Sequence, residues 1–280
     1  MDEVSVYLPF DSIHNCRDLA GIKTCHHKVI KPGMLIRSGH LGHANRQDLL
    51  TLQGMGIKNV VDLRTTWETT FFPDHPVPES TYIHDPVYRE TDLSQDAGGQ
   101  AELVEEAAKD SRQLMCSMYA SSMSDKDAIA AWKEFFNILK NNEGGILFHC
   151  TQGKDRTGMA AMLLETALGV SPEDRLKDYL QTNLYMVKEA NKDEKLVQKV
   201  AENFEVTLDD DIDSYLYAHK SYYDAAQNKV IEMAGSWEGY LIQILGLTEE
   251  DLKVLQEKFL IDEKEAAKEM KASQPADQPV

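Results

Sequence analysis

Short apolar runs and longer segments with helical spacing follow one another along the chain. The apolar runs predict strands at Met34–Arg37, Asn59–Leu63, Thr81–His84 and 146–149, each bounded by polar or turn residues. Segments with helical periodicity lie between them. Strands that alternate with helices pair in parallel and are covered on both faces. The pattern therefore predicts an α/β fold with a mainly parallel central sheet flanked by helices.

Cap residues mark where the predicted helices begin. Asn45 predicts the start of one helix, and Ser124 with Asp127 predicts the start of a second. A third helix, expected over Arg156–Leu168, is apolar nearly all round, which indicates a central, buried position. Residues 101–109 also have a helical pattern.

The C-terminal third of the chain is more polar. Residues 193–234 have a helical pattern, so they either form a cover over a binding site or pack their tyrosines in the core (Tyr215, Tyr217, Tyr222 and Tyr223). Thr248 predicts the start of a helix that runs through Phe259. We expect one domain over residues 1–262, and the end of a helix with a disordered tail over 263–280.

Net charge and the number of cysteines disfavour several classes of protein. The formal net charge of −18 disfavours nucleic acid and anionic membranes as partners. No stretch approaches the ~20 consecutive apolar residues of a membrane span, and the N-terminus lacks the basic and apolar regions of a signal peptide. Four scattered cysteines are too few for a disulfide scaffold. We expect a cytoplasmic protein; a leader removed from the sequence would leave export open.

One decapeptide has the clearest chemical pattern. The segment His149–Gly158, with the sequence HCTQGKDRTG, connects a predicted strand to the buried helix. Five residues separate Cys150 from Arg156, enough for backbone N–H groups to converge on one tetrahedral anion. Arg156 adds a planar fork for two phosphate oxygens. A helix N-terminus and nearby cations lower the pKa of a cysteine thiol. The spacing predicts a cysteine-dependent phosphatase and does not match a Walker nucleotide loop.

This decapeptide resembles the signature of protein tyrosine phosphatases. Its version is similar to that of the atypical bacterial branch with tyrosine, serine/threonine and phosphoinositide phosphatase activity. Three further segments resemble motifs of that branch in the same order, Asn15–Gly21, Arg37–Gly39 and Asp62–Arg64, and the resemblance covers roughly residues 10–260. Cys16 stands where an aromatic residue is usual, and Ala20 replaces a glycine. Neither departure lies in the loop, so they affect local packing rather than the chemistry.

The resemblance implies a cysteine-phosphatase fold and a role for each residue of the loop. Cys150 is expected to attack phosphorus, Asp155 to protonate the leaving group and Arg156 to hold phosphoryl oxygens. Phosphate or substrate binding is assigned to Thr151, Gln152, Gly153, Lys154, Thr157, Asp62 and Arg64, and a supporting role to His149, Arg17 and Asp18.

Several of these roles have alternatives. Asp155 could instead pair with a neighbouring cation, and Asp74, in an upstream Phe-Pro-Asp triplet, is the alternative general acid. Lys154 is either a counter-charge for phosphoinositides or a solvated surface lysine. Asp62 with Arg64 either lines the pocket or forms an ion pair at the strand ends.

The expected reaction is hydrolysis of phosphomonoesters through a phosphocysteine intermediate, with phosphorylated proteins or phosphoinositides as substrates. No cofactor and no metal is expected. Alternative functions are hydrolysis of a small-molecule phosphate ester, silent binding of phosphate, and sulfur transfer. A silent module would be expected to have lost Cys150, Asp155 or Arg156, and sulfur transfer has no use for Asp155.

Overall fold

The protein is described by a computed structural model over residues 3–88, 110–189, 200, 202 and 211–272. The strands are β1 (Val6–Tyr7), β2 (Arg17–Asp18), β3 (Lys28–Ile30), β4 (Leu35–Ser38), β5 (Ile57–Asp62), β6 (Thr81–His84), β7 (Gly145–His149) and β8 (Leu260–Asp262). The helices are α1 (Arg46–Gly54), α2 (Thr66–Phe71), α3 (Ser111–Ser124), α4 (Lys126–Asn141), α5 (Asp155–Ala167), α6 (Pro172–Glu189), α7 (Asp211–Leu216), α8 (Lys220–Ala234), α9 (Trp237–Gly239), α10 (Glu249–Phe259) and α11 (Glu263–Ala272), with a π-helical segment at Tyr240–Ile244.

The central sheet has six strands in the order β1-β2-β4-β7-β5-β6. The pairs β4–β7, β7–β5 and β5–β6 are parallel, and β1 and β2 add an antiparallel edge. The predicted mainly parallel α/β fold is confirmed. β7 lies between β4 and β5, and all five of its residues are buried, as expected for an apolar strand in the middle of a covered sheet.

Helices cover both faces of the sheet. On β7, Ile146 and Phe148 belong to the larger hydrophobic cluster, together with residues of α4 and α5, whereas Leu147 belongs to the smaller cluster, together with Leu52 of α1. This alternation follows from the two-residue period of a strand. α5 is buried along nearly its whole length, as its all-round apolar sequence predicts.

Some predicted limits are wrong. The N-cap of α4 is Asp125 and not Ser124, because the Asp125 carboxylate accepts the N–H groups of Asp127 and Ala128. Ser124 is the last residue of α3, a helix that the sequence did not predict. Residues 263–272 do not continue the helix before them, because β8 separates α10 from α11 and pairs with β3. The helix predicted at 101–109 lies outside the described residues.

The tyrosines of the C-terminal third mostly pack in the core. Tyr217, Tyr222 and Tyr223 are buried, and Tyr222 and Tyr223 lie against the rings of Tyr119 and Tyr179. Tyr215 is exposed. Of the two predicted roles, core packing is therefore the one that Tyr217, Tyr222 and Tyr223 have. Most of 193–210 lies outside the described residues. Across the part of the chain that the structure describes, no helix combines the length and the apolar character needed to cross a bilayer.

Candidate active site

The segment between β7 and α5 forms a tight loop at the carboxyl edge of the sheet. Ser38, His149 and Asp62 end three neighbouring parallel strands in register, so Cys150 follows directly where these ends meet. Gly153 has a φ of +71°, and a Cβ atom on it would lie 2.5 Å from the backbone carbonyl of Ser38. Glycine is therefore required for the loop to pack against β4.

The N-terminus of α5 faces this loop. The helix begins at Asp155, and no described side chain caps it. The first N–H groups of a helix have no partners within the helix, and the helix dipole adds partial positive charge there. Burial of the residues from Thr157 onward fixes the helix in place. The geometry is that of an anion-binding site.

The Cys150 sulfur is enclosed by the loop, with only 2% of the residue exposed. Burial alone would raise the pKa of this thiol. The Arg156 guanidinium and hydrogen bonds from the side chain and backbone N–H of Thr157 outweigh that effect, so the pKa of Cys150 lies below its ordinary value. The Thr157 hydroxyl is therefore the side-chain donor that stabilises the thiolate form of Cys150.

Arg156 is held by a carboxylate that sequence reasoning missed. Its Nη1 and Nη2 atoms donate to Glu68 at 2.6 and 2.8 Å, and the Thr151 hydroxyl donates to the same carboxylate. Burial would raise the pKa of Glu68, but hydrogen bonds and charge from Arg156 lower it to about 2. The signal that could have pointed to Glu68 is the Thr65-x-x-Glu68 pattern, which forms a capping box at α2.

Asp155 lies in the first turn of α5, with 29% of its side chain exposed. The Tyr119 hydroxyl donates to its Oδ1 at 2.6 Å, and the hydroxyls of Tyr119 and Tyr179 are 2.8 Å apart. Lys154 Nζ lies 3.5 Å from the same oxygen. Of the two neighbouring cations, Lys154 therefore pairs with Asp155, whereas Arg156 pairs with Glu68. Tyr119 was missed because α3 was not predicted.

Lys154 is fully buried. Its ammonium donates to the backbone carbonyl of Tyr215 and, at 3.5 Å, to that of Tyr217. The alternative of a solvated surface lysine is wrong, because the end of α7 and the turn after it take up the ammonium. Lys154 therefore connects the loop to the C-terminal helices.

Asp62, Arg64, Asp74 and His149 form a buried ion-pair network. Arg64 Nη2 lies 2.7 Å from Asp62 and 3.0 Å from Asp74, and the other Asp74 oxygen lies 2.9 Å from His149 Nε2. Burial would lower the pKa of His149, but Asp74 and Asp62 raise it. Asp62 and Arg64 therefore form an ion pair at the end of β5, which is one of the two roles predicted for them. Asp74, with 4% of its side chain exposed, belongs to the same network.

Three members of this network have the spacing of a metal site. Ligand atoms of Asp62, Asp74 and His149 lie within 4.8 Å of one another. Arg64, however, already supplies the positive charge between the two carboxylates. A metal ion would face that guanidinium, so the arrangement is explained as a structural ion-pair cluster.

The two supporting residues on β2 act at a distance from the cysteine. Arg17 pairs with Asp178 at 3.0 Å, and the other Asp178 oxygen pairs with Arg37, which donates to the Gly153 carbonyl at 3.0 Å. Arg17 thus reaches the loop through Asp178 and Arg37, two residues to which sequence reasoning gave no role, and also through Asn15, whose Oδ1 accepts from Arg17 at 2.6 Å and whose amide donates to the Gln152 carbonyl. Asp18 accepts two backbone N–H groups of nearby turns, and burial raises its pKa to about 7.

A cleft of about 320 Å³ opens beside Asp155 and Arg156. Its walls are mostly apolar and aromatic: Trp67, Tyr88, Met115, Met118 and Tyr119. An apolar cleft with a few polar groups at one end is the usual form of a small-ligand site. Gln152 lies outside this cleft, and its backbone carbonyl accepts the Asn15 amide at 3.0 Å.

Comparison with known proteins gives the family. Residues 8–261 match the model of the tyrosine phosphatase family. The chain is 35% identical over 188 residues to a Cupriavidus necator protein provisionally named a tyrosine-protein phosphatase, with 63% of each chain covered. It is 25% identical over 258 residues to the triple specificity protein phosphatase of Mycobacterium tuberculosis, covering 81% of this chain and 90% of that one.

A third relative, a tyrosine-protein phosphatase of Nostoc commune, is 26% identical over 171 residues, which cover 58% of this chain and 52% of the relative. The chain thus spans less than two thirds of the length of the first and third of these relatives.

Proposed function

The chain belongs to the tyrosine phosphatase family, and from that premise we propose that it hydrolyses phosphomonoesters, phosphotyrosine in particular, through a phosphocysteine intermediate. One observation carries the proposal, the meeting of three features in a single loop. These are the Cys150 thiol with its lowered pKa, the N-terminus of α5, which no side chain of the described residues caps, and the Arg156 guanidinium. Together they favour a thiolate beside a bound phosphate dianion.

In the proposed first step, the Cys150 thiolate attacks phosphorus in line with the ester oxygen. The S–P bond forms while the P–O bond breaks, and the carboxyl proton of Asp155 passes to the departing oxygen. In the second step, water attacks the phosphocysteine and gives a proton to Asp155. The S–P bond then breaks, which returns the thiolate and releases inorganic phosphate.

The rest of the loop is proposed to hold the transferring group. Backbone N–H groups of the residues from Thr151 to Thr157, Gln152 and Gly153 among them, point to the three equatorial oxygens, and Arg156 adds its fork. Charge that develops on these oxygens is then stabilised by fixed dipoles, at no cost of reorganisation. The Thr157 hydroxyl supports the thiolate before attack and after hydrolysis.

Two observations support the choice of substrate. The cleft beside Asp155 and Arg156 has aromatic and methionine walls, which suit the ring of an aryl phosphate. One relative is named a triple specificity protein phosphatase, which supports a wider range that includes phosphoserine, phosphothreonine and phosphoinositides. In that wider range, Lys154 would serve extra ring phosphates only after leaving its carbonyl partners.

The test is release of phosphate, measured side by side from a phosphotyrosine peptide, a phosphoserine peptide, a phosphoinositide and a sugar phosphate. The phosphotyrosine peptide should give the highest kcat/KM. Cys150→Ser should lower kcat on every substrate by roughly 10⁴-fold or more, whereas Cys25→Ser, which changes an exposed free cysteine, should leave kcat unchanged. Turnover retained by Cys150→Ser, or a preference for the sugar phosphate, would contradict the proposal.

We also infer that residues 1–262 act as one domain and that the enzyme works in the cytoplasm. The family match over residues 8–261 supports the first inference. The second is supported by the four cysteines, all of which are free thiols, as is usual in a reducing compartment. Fractionation of the host cell, followed by detection of the chain, tests the location.

A further inference from the structure

Three large aromatic side chains lie exposed on α2 and on the residue that follows it. Trp67, Phe71 and Phe72 are 56%, 62% and 53% exposed, and α2 buries none of its side chains. The rings of Trp67 and Phe71, one helical turn apart, are in contact, with their centroids 4.8 Å apart. Scattered exposed apolar residues are normal, whereas neighbouring ones mark interaction sites. These three residues, the aromatic patch, therefore indicate a binding surface.

The backbone that carries the aromatic patch is held at both ends. In the first turn of α2, the Glu68 carboxylate accepts hydrogen bonds from Arg156 and Thr151 of the loop after β7. At the other end, Arg64 Nη1 donates to the Phe72 carbonyl at 2.8 Å. The aromatic side chains are thus presented from a segment already in place, which reduces the entropy lost when a partner binds.

The aromatic patch is continuous with the cleft beside Asp155 and Arg156. Trp67 belongs to both, because it lines the cleft and its ring contacts Phe71. Met118, which also lines the cleft, is exposed. A peptide whose phosphorylated side chain enters the cleft would therefore carry its neighbouring residues over Phe71. Since an extended chain rises about 3.3 Å per residue, positions one to three residues from the phosphotyrosine come within reach of the patch.

The charges of this region favour a protein segment over a lipid bilayer as the occupant. Residues 65–88 contain no lysine or arginine, whereas segments that bind a membrane surface usually combine aromatic residues with basic ones. The net charge of −18 also opposes approach to a membrane rich in anionic lipids. For the same reason, the segment has no cation to offer to an acidic residue beside a phosphotyrosine.

We propose that the aromatic patch binds apolar side chains that flank the phosphotyrosine of a protein substrate. This inference rests on the proposed function and narrows its substrate class to phosphotyrosine beside leucine, phenylalanine or similar residues. Apolar side chains gain free energy when they leave water together. Because this contact does not involve the reacting atoms, it should lower KM and leave kcat nearly unchanged.

Phosphotyrosine peptides of one length test the proposal. They carry leucine, serine or glutamate at the three positions on one side of the phosphotyrosine, and then on the other side. For the parent chain, kcat/KM should be about tenfold higher with leucine than with serine on one side or both, through KM, and lowest with glutamate. Equal values for leucine and serine on both sides would overturn the proposal.

The double variant Phe71→Ala/Phe72→Ala tests whether the aromatic patch causes this preference. Both side chains are exposed, so their removal leaves no cavity in the core. The ratio of kcat/KM for the leucine peptide to that for the serine peptide should fall to about 1. The loss on the leucine peptide should exceed the loss on p-nitrophenyl phosphate, which has no flanking residues. A ratio that stays at the parent value would contradict the proposal.

Leu50→Ala is the matched control. Leu50 is also an exposed apolar residue, but it lies on α1, which packs on the other face of the sheet from α3. This variant should keep the parent ratio of the two peptides. An equal fall of the ratio in Leu50→Ala and in the double variant would show that the effect is not specific to the aromatic patch, and the proposal would be wrong.

A second measurement needs neither turnover nor a change in the aromatic patch. Of the three tryptophans, Trp132 and Trp237 are buried and Trp67 is exposed, so acrylamide quenching of tryptophan fluorescence reports mainly on Trp67. In Cys150→Ser, the leucine peptide should protect Trp67 at an about tenfold lower concentration than the serine peptide. Protection at equal concentrations would overturn the proposal. If the parent chain releases no phosphate from any peptide, the proposed function fails, and this binding measurement still tests the patch.

The competing occupants, a bilayer and a second copy of this chain, give different results. Vesicles of phosphatidylcholine and phosphatidylserine should not sediment the parent chain. In analytical ultracentrifugation, the parent chain and the double variant should have the same sedimentation coefficient. Vesicle binding or a dimer that is present in the parent chain and lost in Phe71→Ala/Phe72→Ala would assign the aromatic patch to the bilayer or to the second copy, and either result would overturn the proposal.

Discussion

Asp155 and Asp74 are both carboxylates near the loop, and they differ in what surrounds them. Asp155 borders the cleft and takes a hydrogen bond from Tyr119, whereas Asp74 is packed between Arg64 and His149. We predict that Asp155→Asn lowers kcat on a phosphotyrosine peptide by roughly 10²- to 10⁴-fold, because the N–H groups of an amide are not acidic enough to protonate the leaving oxygen. Asp74→Asn should change kcat by less than about tenfold and lower Tm, since it weakens a buried network.

Steady-state kinetics and thermal melts on both variants check this prediction. The loss in Asp155→Asn should shrink on p-nitrophenyl phosphate, because its leaving group is less basic and needs less protonation. If only Asp74→Asn slows turnover, the roles assigned to the two carboxylates are reversed.

Some site residues could be predicted from the sequence and others could not. The two groups differ in how they reach the site. Cys150 and Arg156 share one loop whose backbone fixes their distance, so a local motif is enough to predict them. Glu68 and Arg37 reach the same loop from remote segments. Their contacts with the loop exist only after the sheet has formed, so a local pattern such as Thr65-x-x-Glu68 indicates the start of a helix and not the contact with Arg156.

At the scale of elements, α3 and α4 meet at a single residue. Asp125 is both the C-cap of α3 and the N-cap of α4. Two adjacent residues, Ser124 and Asp125, are both common N-cap types, and local preference does not choose between them. α3 packs its buried side chains in the core and extends to Ser124. The turn therefore falls at Asp125, and α4 begins after it.

Asp125→Ala should therefore destabilise the protein by about 1 kcal/mol, because the N–H groups of Asp127 and Ala128 lose their acceptor. For a chain of this size the expected fall in Tm is about 2–4 °C. Ser124→Ala is the control, because within the described ranges the Ser124 hydroxyl donates only to carbonyls of the preceding turn, and the Tm of this variant should change by less than a degree or so. A larger loss in Ser124→Ala than in Asp125→Ala, measured by thermal melts, would restore the cap that the sequence favoured.

Besides α3, sequence reasoning missed short strands. β3 and β8 have three residues each and pair across most of the chain. Each contains two apolar residues and one charged residue, which is too short a pattern to distinguish a strand from a loop. The inner strands of the parallel sheet, β4, β5 and β7, were predictable because most of their residues are buried and their sequences contain apolar runs.

At the scale of the whole molecule, the alternation of strands and helices was enough to predict the architecture. A parallel sheet places the carboxyl ends of its strands along one edge, and the loop after β7 lies on that edge. The position of the site follows from the topology. The cleft does not, because its walls come from α2, α3 and the chain after β6, whose arrangement depends on tertiary packing.

Global stability should depend on Asp18. Its pKa is raised by burial to about 7, above the ~3.9 of an aspartate in an unfolded chain. Between about pH 4 and pH 7 the folded protein therefore binds more protons at this site than the unfolded chain does, and its stability falls as the pH rises through that window.

Asp18→Asn cannot titrate, so comparison with the parent isolates this effect. The Tm of the variant minus that of the parent should become more positive from about pH 5 to about pH 8. The sign of this difference at pH 5 does not matter for the test, because the amide also changes the hydrogen bonds of two backbone N–H groups. Thermal melts in matched buffers measure the difference. A difference that does not vary with pH would mean that Asp18 is ionised throughout this range.

The proposed mechanism requires a covalent bond between phosphorus and the sulfur of Cys150. Rapid quenching of the reaction with a phosphotyrosine peptide, followed by mass spectrometry of the digested protein, tests this most directly. We predict one phosphoryl group on the peptide that contains Cys150, present while substrate lasts and missing in Cys150→Ser. A phosphoryl group on another residue, or full turnover with no adduct at any quench time, would contradict the mechanism.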